Sequence, residues 1–296
     1  MTDVALEERE WPALEALAVS KRFGRGQQAL AAISLTVPRG SIVGLVGPNA
    51  AGKSTLIRTW VGFERPSSGS VRVCGFDPQR QRAEAVAHLA YVAQSPMLYR
   101  ELTAARHLDL ALAMRKGFDR EVGERRLADL DIPIDAKVGR LSGGQAAQVS
   151  LAIALGTRAD VLLLDEPLAS LDPLARREFL DVLSDEVHAQ GGTALLSSHV
   201  VADVERACDR IIALGTGRVL LDAPLLGLAE AHRLYPDGEP PAGPHLTAVG
   251  RVESGDGWAW LAAVNDGSTS AMADKPSVEQ VVLAYLASGR HPARRS

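Results

Sequence analysis

The chain has 296 residues, is 46% hydrophobic and carries a formal net charge of −4 at pH 7. That length supports a packed core and one domain with a smaller appendage, and the charge excludes a globally basic nucleic-acid binder. The two cysteines, Cys74 and Cys208, lie far apart and in no C-x-x-C, which excludes a disulfide framework or zinc site and fits a reducing compartment.

The acidic start "MTDVALEEREWP" lacks the apolar stretch of a secretory signal. Short apolar runs between turn signals then predict strands at "LEALAVS", "AISLTV" and "SIVGLVG", the last apolar enough to be buried on both faces. "GKSTLIRTWVGF" (52–63) has helical spacing, and "SVRVCG" and "LAYVAQ" predict two further strands. From about 97 to 156 the texture is helical: "TAARHLDLALAMRK" with Thr103 as N-cap, "FDREVGERRLADLD", and a helix opening at "LSGG". A strand at "VLLLDEP", a helix over 173–190 with Leu180, Leu183 and Val187 on one face, a strand at "TALLSS", a helix over 200–207 and a hairpin in "RIIALGTGRVLL" follow. Strands alternating with helices imply a parallel sheet with right-handed crossovers, here interrupted by a helical insert.

After about 225 the pattern weakens. "YPDGEPPAGP" is loop by composition, "HLTAVGRV" and "WAWLAAV" across "ESGDG" predict a small hairpin, and "SVEQVVLAYLA" predicts a short helix. The basic end "RHPARRS" reads as a solvated terminus. No apolar run approaches the roughly 18 residues that cross a bilayer, so a pore would have to come from another chain.

Residues 47–54, "GPNAAGKS", carry the first chemistry. Gly47 and Gly52 occupy the glycine positions of a phosphate-binding loop between a buried strand and a helix. Backbone N–H groups there form an anion nest, and the helix directs its positive end to the same point. Lys53 reaches outer phosphates and Ser54 offers a hydroxyl to Mg²⁺. Ala50 stands where glycine is common; a positive φ would cost on the order of 1 kcal/mol, a negative one nothing. "VLLLDEP" delivers Asp165 and Glu166 to the carboxyl edge of a parallel sheet, where ligands bind. Asp165 would hold Mg²⁺ through water and Glu166 would polarise an attacking water; a strand ending in a polar turn is the plain alternative. "LSGGQ" (141–145) is a second anion-binding helix start, or merely an N-cap. His199 and Gln94 follow strand ends at the same edge; the Gln94 amide reaches Mg²⁺ or the attacking water, whereas lone histidines are more often structural.

"GPNAAGKST", "YVAQSP", "LSGGQ", "VLLLDEP", "SLDP" and "SSH" stand in the order and spacing of an ABC-type ATPase subunit, which the chain resembles over roughly residues 14–222. The resemblance implies an α/β fold: a P-loop NTPase (RecA-like) core with a parallel sheet, N-terminal antiparallel strands and a helical insert at about 97–156. It places a tail at 1–13, the ATPase domain at 14–225 and a small α+β extension at 226–296. It implies ATP with Mg²⁺, the loop residues Gly47, Asn49, Ala50, Ala51, Gly52, Lys53, Ser54 and Thr55 around the phosphates, and Phe23 against adenine, although a Phe near a strand is more often core. Glu166 resembles the catalytic base, His199 the γ-phosphate contact, and Gln94 the residue that senses the membrane partner. Ser54, Gln94 and Asp165 resemble the metal site. Ser142, Gly143, Gly144 and Gln145 would complete the site of a second ATPase domain, with Asp172 at the dimer interface. After "LSGGQ" many relatives carry arginines, whereas "AAQ" follows here.

The stretches "DEPLASLDPLARREFL" and "SVEQVVLAYL" resemble the ATP-binding subunits of bacterial drug-export-type transporters. That implies a multi-spanning permease as partner, no nucleic acid, and a cytoplasmic place on the inner face of the membrane. The alternatives are an importer ATPase, a non-transport ABC ATPase acting on ribosome or DNA, and a small-molecule kinase or GTPase. "LSGGQ" has no role in the last, and no N-K-x-D motif is present.

Overall fold

The computed structural model describes residues 11–24, 26–236, 238, 240, 245–255, 257–264 and 273–290. Most of the expected N-terminal tail, part of the "YPDGEPPAGP" loop and all but the first residue of the basic end therefore lie outside the described residues.

The centre is a six-stranded sheet in the order β5 (Leu89–Val92), β6 (Val161–Asp165), β7 (Thr193–Ser198), β3 (Ile42–Val46), β8 (Arg210–Gly215) and β9 (Arg218–Pro224). All pairs are parallel except β8 with β9, the hairpin read from "RIIALGTGRVLL". β3, β6 and β7 are buried at every residue, as continuous apolar runs demand of strands covered on both faces. Their register aligns Val46 with Ser198 and Asp165 with Ser197, so three strands end together at one edge.

One face is covered by α1 (Lys53–Val61) and an antiparallel sheet of β2 (Gln27–Val37), β1 (Leu14–Phe23) and β4 (Ser68–Val73). Trp60 of α1 is fully buried there and its indole N–H donates to the Glu15 carbonyl at 2.9 Å. The other face carries α5 (Gly143–Gly156) and α6 (Pro173–Ala189), whose Phe179, Leu180, Leu183 and Val187 are buried. The insert comprises α3 (Ala104–Met114), α4 (Arg120–Asp129) and α5, which share a core of Leu108, Leu127 and Val149. Thr103 caps α3 as expected, accepting from Arg106 N at 3.2 Å.

The C-terminal residues depart from the simple hairpin. β10 (His232–Tyr235) adds a third strand to β11 (Leu246–Ser254) and β12 (Gly257–Val264), in the order β10-β12-β11. The helix α8 (Val278–Arg290) and the short α7 (Val201–Ala207) join this sheet to the core: Val281, Val282 and Ala284 pack with Val46, Val204, Ile211 and Ala213. The helix α2 (Arg82–Ala87) and a 3₁₀ turn at Val138–Arg140 also go beyond the sequence reading, because both are too short for periodicity to register.

Candidate active site

The loop after β3 wraps the start of α1. Gly47 and Gly52 are irreplaceable for packing reasons: a Cβ on Gly47 would stand 2.3 Å from the Leu214 carbonyl, and one on Gly52 2.6 Å from that of Ala29. Gly52 has φ +104°, and Ala50 has φ +65°, so the alanine does sit in the left-handed region, at a cost of about 1–2 kcal/mol. The harmless reading of that alanine is thereby excluded, and the loop carries local strain of the kind found at working sites.

Lys53 is buried and its ammonium donates to the Gly47 carbonyl at 2.6 Å, with a longer 3.4 Å contact to Pro48 O. It also pairs with Glu166 Oε1 at 3.0 Å. The other Glu166 oxygen meets His199 Nδ1 at 2.7 Å. Burial pushes the Glu166 carboxyl pKa up, but hydrogen bonds and charge from His199 and Lys53 outweigh it, and the group stands below the ordinary carboxylate range. Glu166 is therefore ionised at neutral pH, as a proton acceptor must be. Its φ is +50°, and its N–H donates to Ser197 Oγ at 2.8 Å, which fixes the turn.

Ser54 Oγ donates to Asp165 Oδ1 at 2.7 Å, and Ser197 Oγ donates to the same oxygen at 3.2 Å. A hydroxyl and a carboxylate side by side are hard oxygen donors. They fit Mg²⁺, which takes one or two protein ligands and completes its shell with water and phosphate oxygens. Among the described residues no group of three or more His, Cys, Asp or Glu side chains gathers as a metal cage, consistent with that sparse mode.

A cavity of about 400 Å³ opens over this loop, lined by Phe23, Asn49–Thr55, Gln94 and Glu166, together with Gln27, Gln28 and Ala29. Phe23 is one-third exposed at its mouth, with Lys21 Nζ 4.8 Å from the ring centre, so it is not core. The structure thus brings Phe23, the loop, Gln94, Asp165, Glu166 and His199 to one edge. Sequence reasoning missed Gln27, Gln28 and Ala29, and Ser197, which joins the Asp165 carboxylate to the Glu166 backbone N–H; the paired serines ending "TALLSS" were its only trace.

Ser142, Gly143, Gly144 and Gln145 stand apart from this cavity. Ser142 caps α5 in a reciprocal capping box with Gln145, at 3.1 and 3.0 Å. Asp172 caps α6, accepting from Leu174 N and Ala175 N.

A family model described as ABC transporter matches residues 30–169. The uncharacterized ABC transporter ATP-binding protein YhcH of Bacillus subtilis is 34% identical over 209 residues, covering 70% of this chain and 68% of its own. This chain belongs to the ABC transporter ATP-binding proteins. As an ABC ATPase it is an ATP-hydrolysing cassette of the P-loop NTPase fold. The Nod factor export ATP-binding protein I of Burkholderia lata is 33% identical over 219 residues, covering 72% of this chain and 71% of that one. The phosphonates import ATP-binding protein PhnC of Thiobacillus denitrificans is 35% identical over 224 residues, covering 71% and 86%. The solved structure of an ATP binding subunit of an ABC transporter superposes with TM-score 0.65 at 32% identity, covering 72% of this ABC ATPase and 90% of that chain. Relatives of both transport directions are thus equally near. Among the described residues no helix is long and apolar enough to cross a membrane.

Proposed function

We propose that this ABC ATPase powers export through a separate multi-spanning membrane subunit, docked on the inner face of the membrane and acting without nucleic acid. The observation that carries the catalytic part is Glu166, held ionised between Lys53 and His199 at the edge of the sheet. ATP lies with its base toward Phe23 and its phosphates on the loop from Gly47 to Thr55. Phosphate oxygens compete with Glu166 and the Gly47 carbonyl for the Lys53 ammonium, which frees Glu166 to take a proton from water. Ser54, Asp165 and Gln94 would hold Mg²⁺, which when bound would neutralise phosphate charge. His199 stays against Glu166 and meets the γ-phosphate.

Two copies, identical or related, close on two ATP molecules. Ser142, Gly143, Gly144 and Gln145 of one copy then reach the nucleotide of the other, and Asp172 lies at the seam. The γ-phosphate is the differential contact that biases closure. We take 14–225 as the ATPase domain, with its helical insert at about 97–156, and 226–296 as the extension.

Glu166→Gln should lower ATP turnover by about 10²–10⁴-fold, the usual worth of a positioned base, while ATP binding and ATP-dependent dimerisation persist. Turnover near wild type in that variant would remove Glu166 from the role. Export is favoured by the stretches "DEPLASLDPLARREFL" and "SVEQVVLAYL" and by the likeness to the Nod factor exporter's subunit. Import is the second reading, because the phosphonate importer's subunit is as similar. Reconstitution with the membrane partner separates them: ATP outside inverted vesicles drives accumulation inside for an exporter and depletion for an importer.

A further inference from the structure

A second cavity, of about 490 Å³, lies on the other side of the phosphate loop, between the loop and the C-terminal sheet and helix. It shares no lining residue with the nucleotide cavity. Its walls are mainly apolar: Val200 and Val201 from the core, Val252 and Trp258 from the sheet, Leu283 and Leu286 from α8. Trp258 and Leu283 are 56% and 46% exposed, an unusual outlay of apolar surface within one concavity. The size and the apolar walls with few polar groups are those of a small-molecule site.

Charge selects the ligand class. Glu253 and Glu279 line the cavity and have no ion-pair partner among the described residues. The basic groups in the lining are Arg251, whose guanidinium lies over Trp258 at 5.9 Å, and His199, which is held by Glu166. A third carboxylate, Glu205 of α7, is held above its ordinary range by burial and by Glu279. Glu205 and Glu279 thus repel one another, Glu253 adds a further negative charge to the lining, and a positive charge placed beside this apolar surface would be attracted.

We propose that this cavity binds an organic cation with an apolar or aromatic body, and that its occupancy alters ATP hydrolysis. The coupling is a shared wall. Gly47, Pro48 and His199 line the cavity, Lys53 holds the Gly47 carbonyl, and His199 holds Glu166. A ligand seated against them displaces or fixes the groups that position the base.

The test is calorimetric titration of the full chain with tetraphenylphosphonium and, as an anion of the same shape, tetraphenylborate. Saturable binding of the cation is expected, with the anion weaker by about fivefold or more, the worth of roughly 1 kcal/mol of partly screened attraction. Leu283→Arg fills the cavity from an exposed position and should abolish cation binding while ATP still binds. The double variant Glu253→Gln with Glu279→Gln should weaken it by about fivefold. At saturation the cation should change the hydrolysis rate of the wild type at least about twofold and leave Leu283→Arg unaffected. Equal binding of the two ions, or cation binding unaltered in Leu283→Arg, would overturn the site; an unchanged wild-type rate at saturation would overturn the coupling.

Discussion

Ala50 shows how a single residue can record a functional constraint. Its φ of +65° lies in a loop closed by the Ala51 N–H to Pro48 carbonyl bond at 3.1 Å, and alanine adopts it against its own preference. Replacing it by glycine removes about 1–2 kcal/mol of native strain but adds back some 0.5–1 kcal/mol of unfolded-chain entropy. Ala50→Gly should therefore be more stable by up to about 1.5 kcal/mol, read from the denaturation midpoint in urea. A variant less stable than wild type would mean that the alanine methyl contributes packing that outweighs the strain. The residue types proposed for this site stood out in the sequence because phosphate and metal chemistry would require Gly, Lys, Ser and Asp at fixed spacing, and the structure brings them together. The positive φ of Ala50 and of Glu166 was not, since neither residue type announces it. The neighbours then decide: Glu166 is held by Ser197, a residue 31 positions away in sequence.

At the scale of elements, continuous apolar runs and one-faced helices declared themselves, whereas some short pieces of mixed character did not. β3, β6 and β7 are continuous apolar runs, and α6 places Leu180, Leu183 and Val187 on one buried face. By contrast β10 is four residues of mixed character, and becomes a strand only because Tyr235 and His232 find partners on β12. Helix α5 raises a different question, because Ser142 is both its cap and the proposed contact to a second copy's nucleotide. The two roles separate by substitution. Ser142→Ala deletes the cap and should cost about 1 kcal/mol of stability. Ser142→Asp keeps the cap and suits the positive helix end, so it should hold stability near wild type. Its charge would nevertheless repel a phosphate, and ATP hydrolysis should collapse. Thermal denaturation and turnover measured on both variants decide: hydrolysis that simply follows stability would leave Ser142 a cap and nothing more.

At the scale of the whole molecule, the C-terminal residues pack on the central sheet and are not a free appendage. α8 supplies Val281, Val282 and Ala284 to a core shared with Val46, Ile211 and Ala213 of the central sheet. A chain ending at 225 would expose that face of β3 and β8, directly behind the phosphate loop. It should aggregate or melt at markedly lower temperature; a truncated chain with wild-type melting temperature and turnover would show the extension to be separable. The junction also contains a buried titratable group. His232 Nδ1 donates to the Leu228 carbonyl at 2.8 Å, so Nε2 accepts from the Tyr285 hydroxyl of α8 at 3.2 Å. Burial depresses the His232 pKa below its ordinary value, opposed by the smaller effect of the Leu228 bond. The unfolded chain takes up its proton near pH 6.5, and the folded chain only at lower pH. The stabilisation by neutral His232 is therefore complete above about 6.5 and is lost as pH falls from there toward the depressed folded value. Urea denaturation of wild type should show stability declining between pH 7 and pH 5 with a component absent from His232→Gln, which keeps a donor and an acceptor but does not titrate. Because the Tyr285 partner of His232 lies on α8, acidification should loosen the extension before the central sheet. Protection of the α8 amides, taken relative to their intrinsic exchange rate, should then fall with pH while that of β6 and β7 stays high; simultaneous loss of protection would mean that extension and core unfold as one unit.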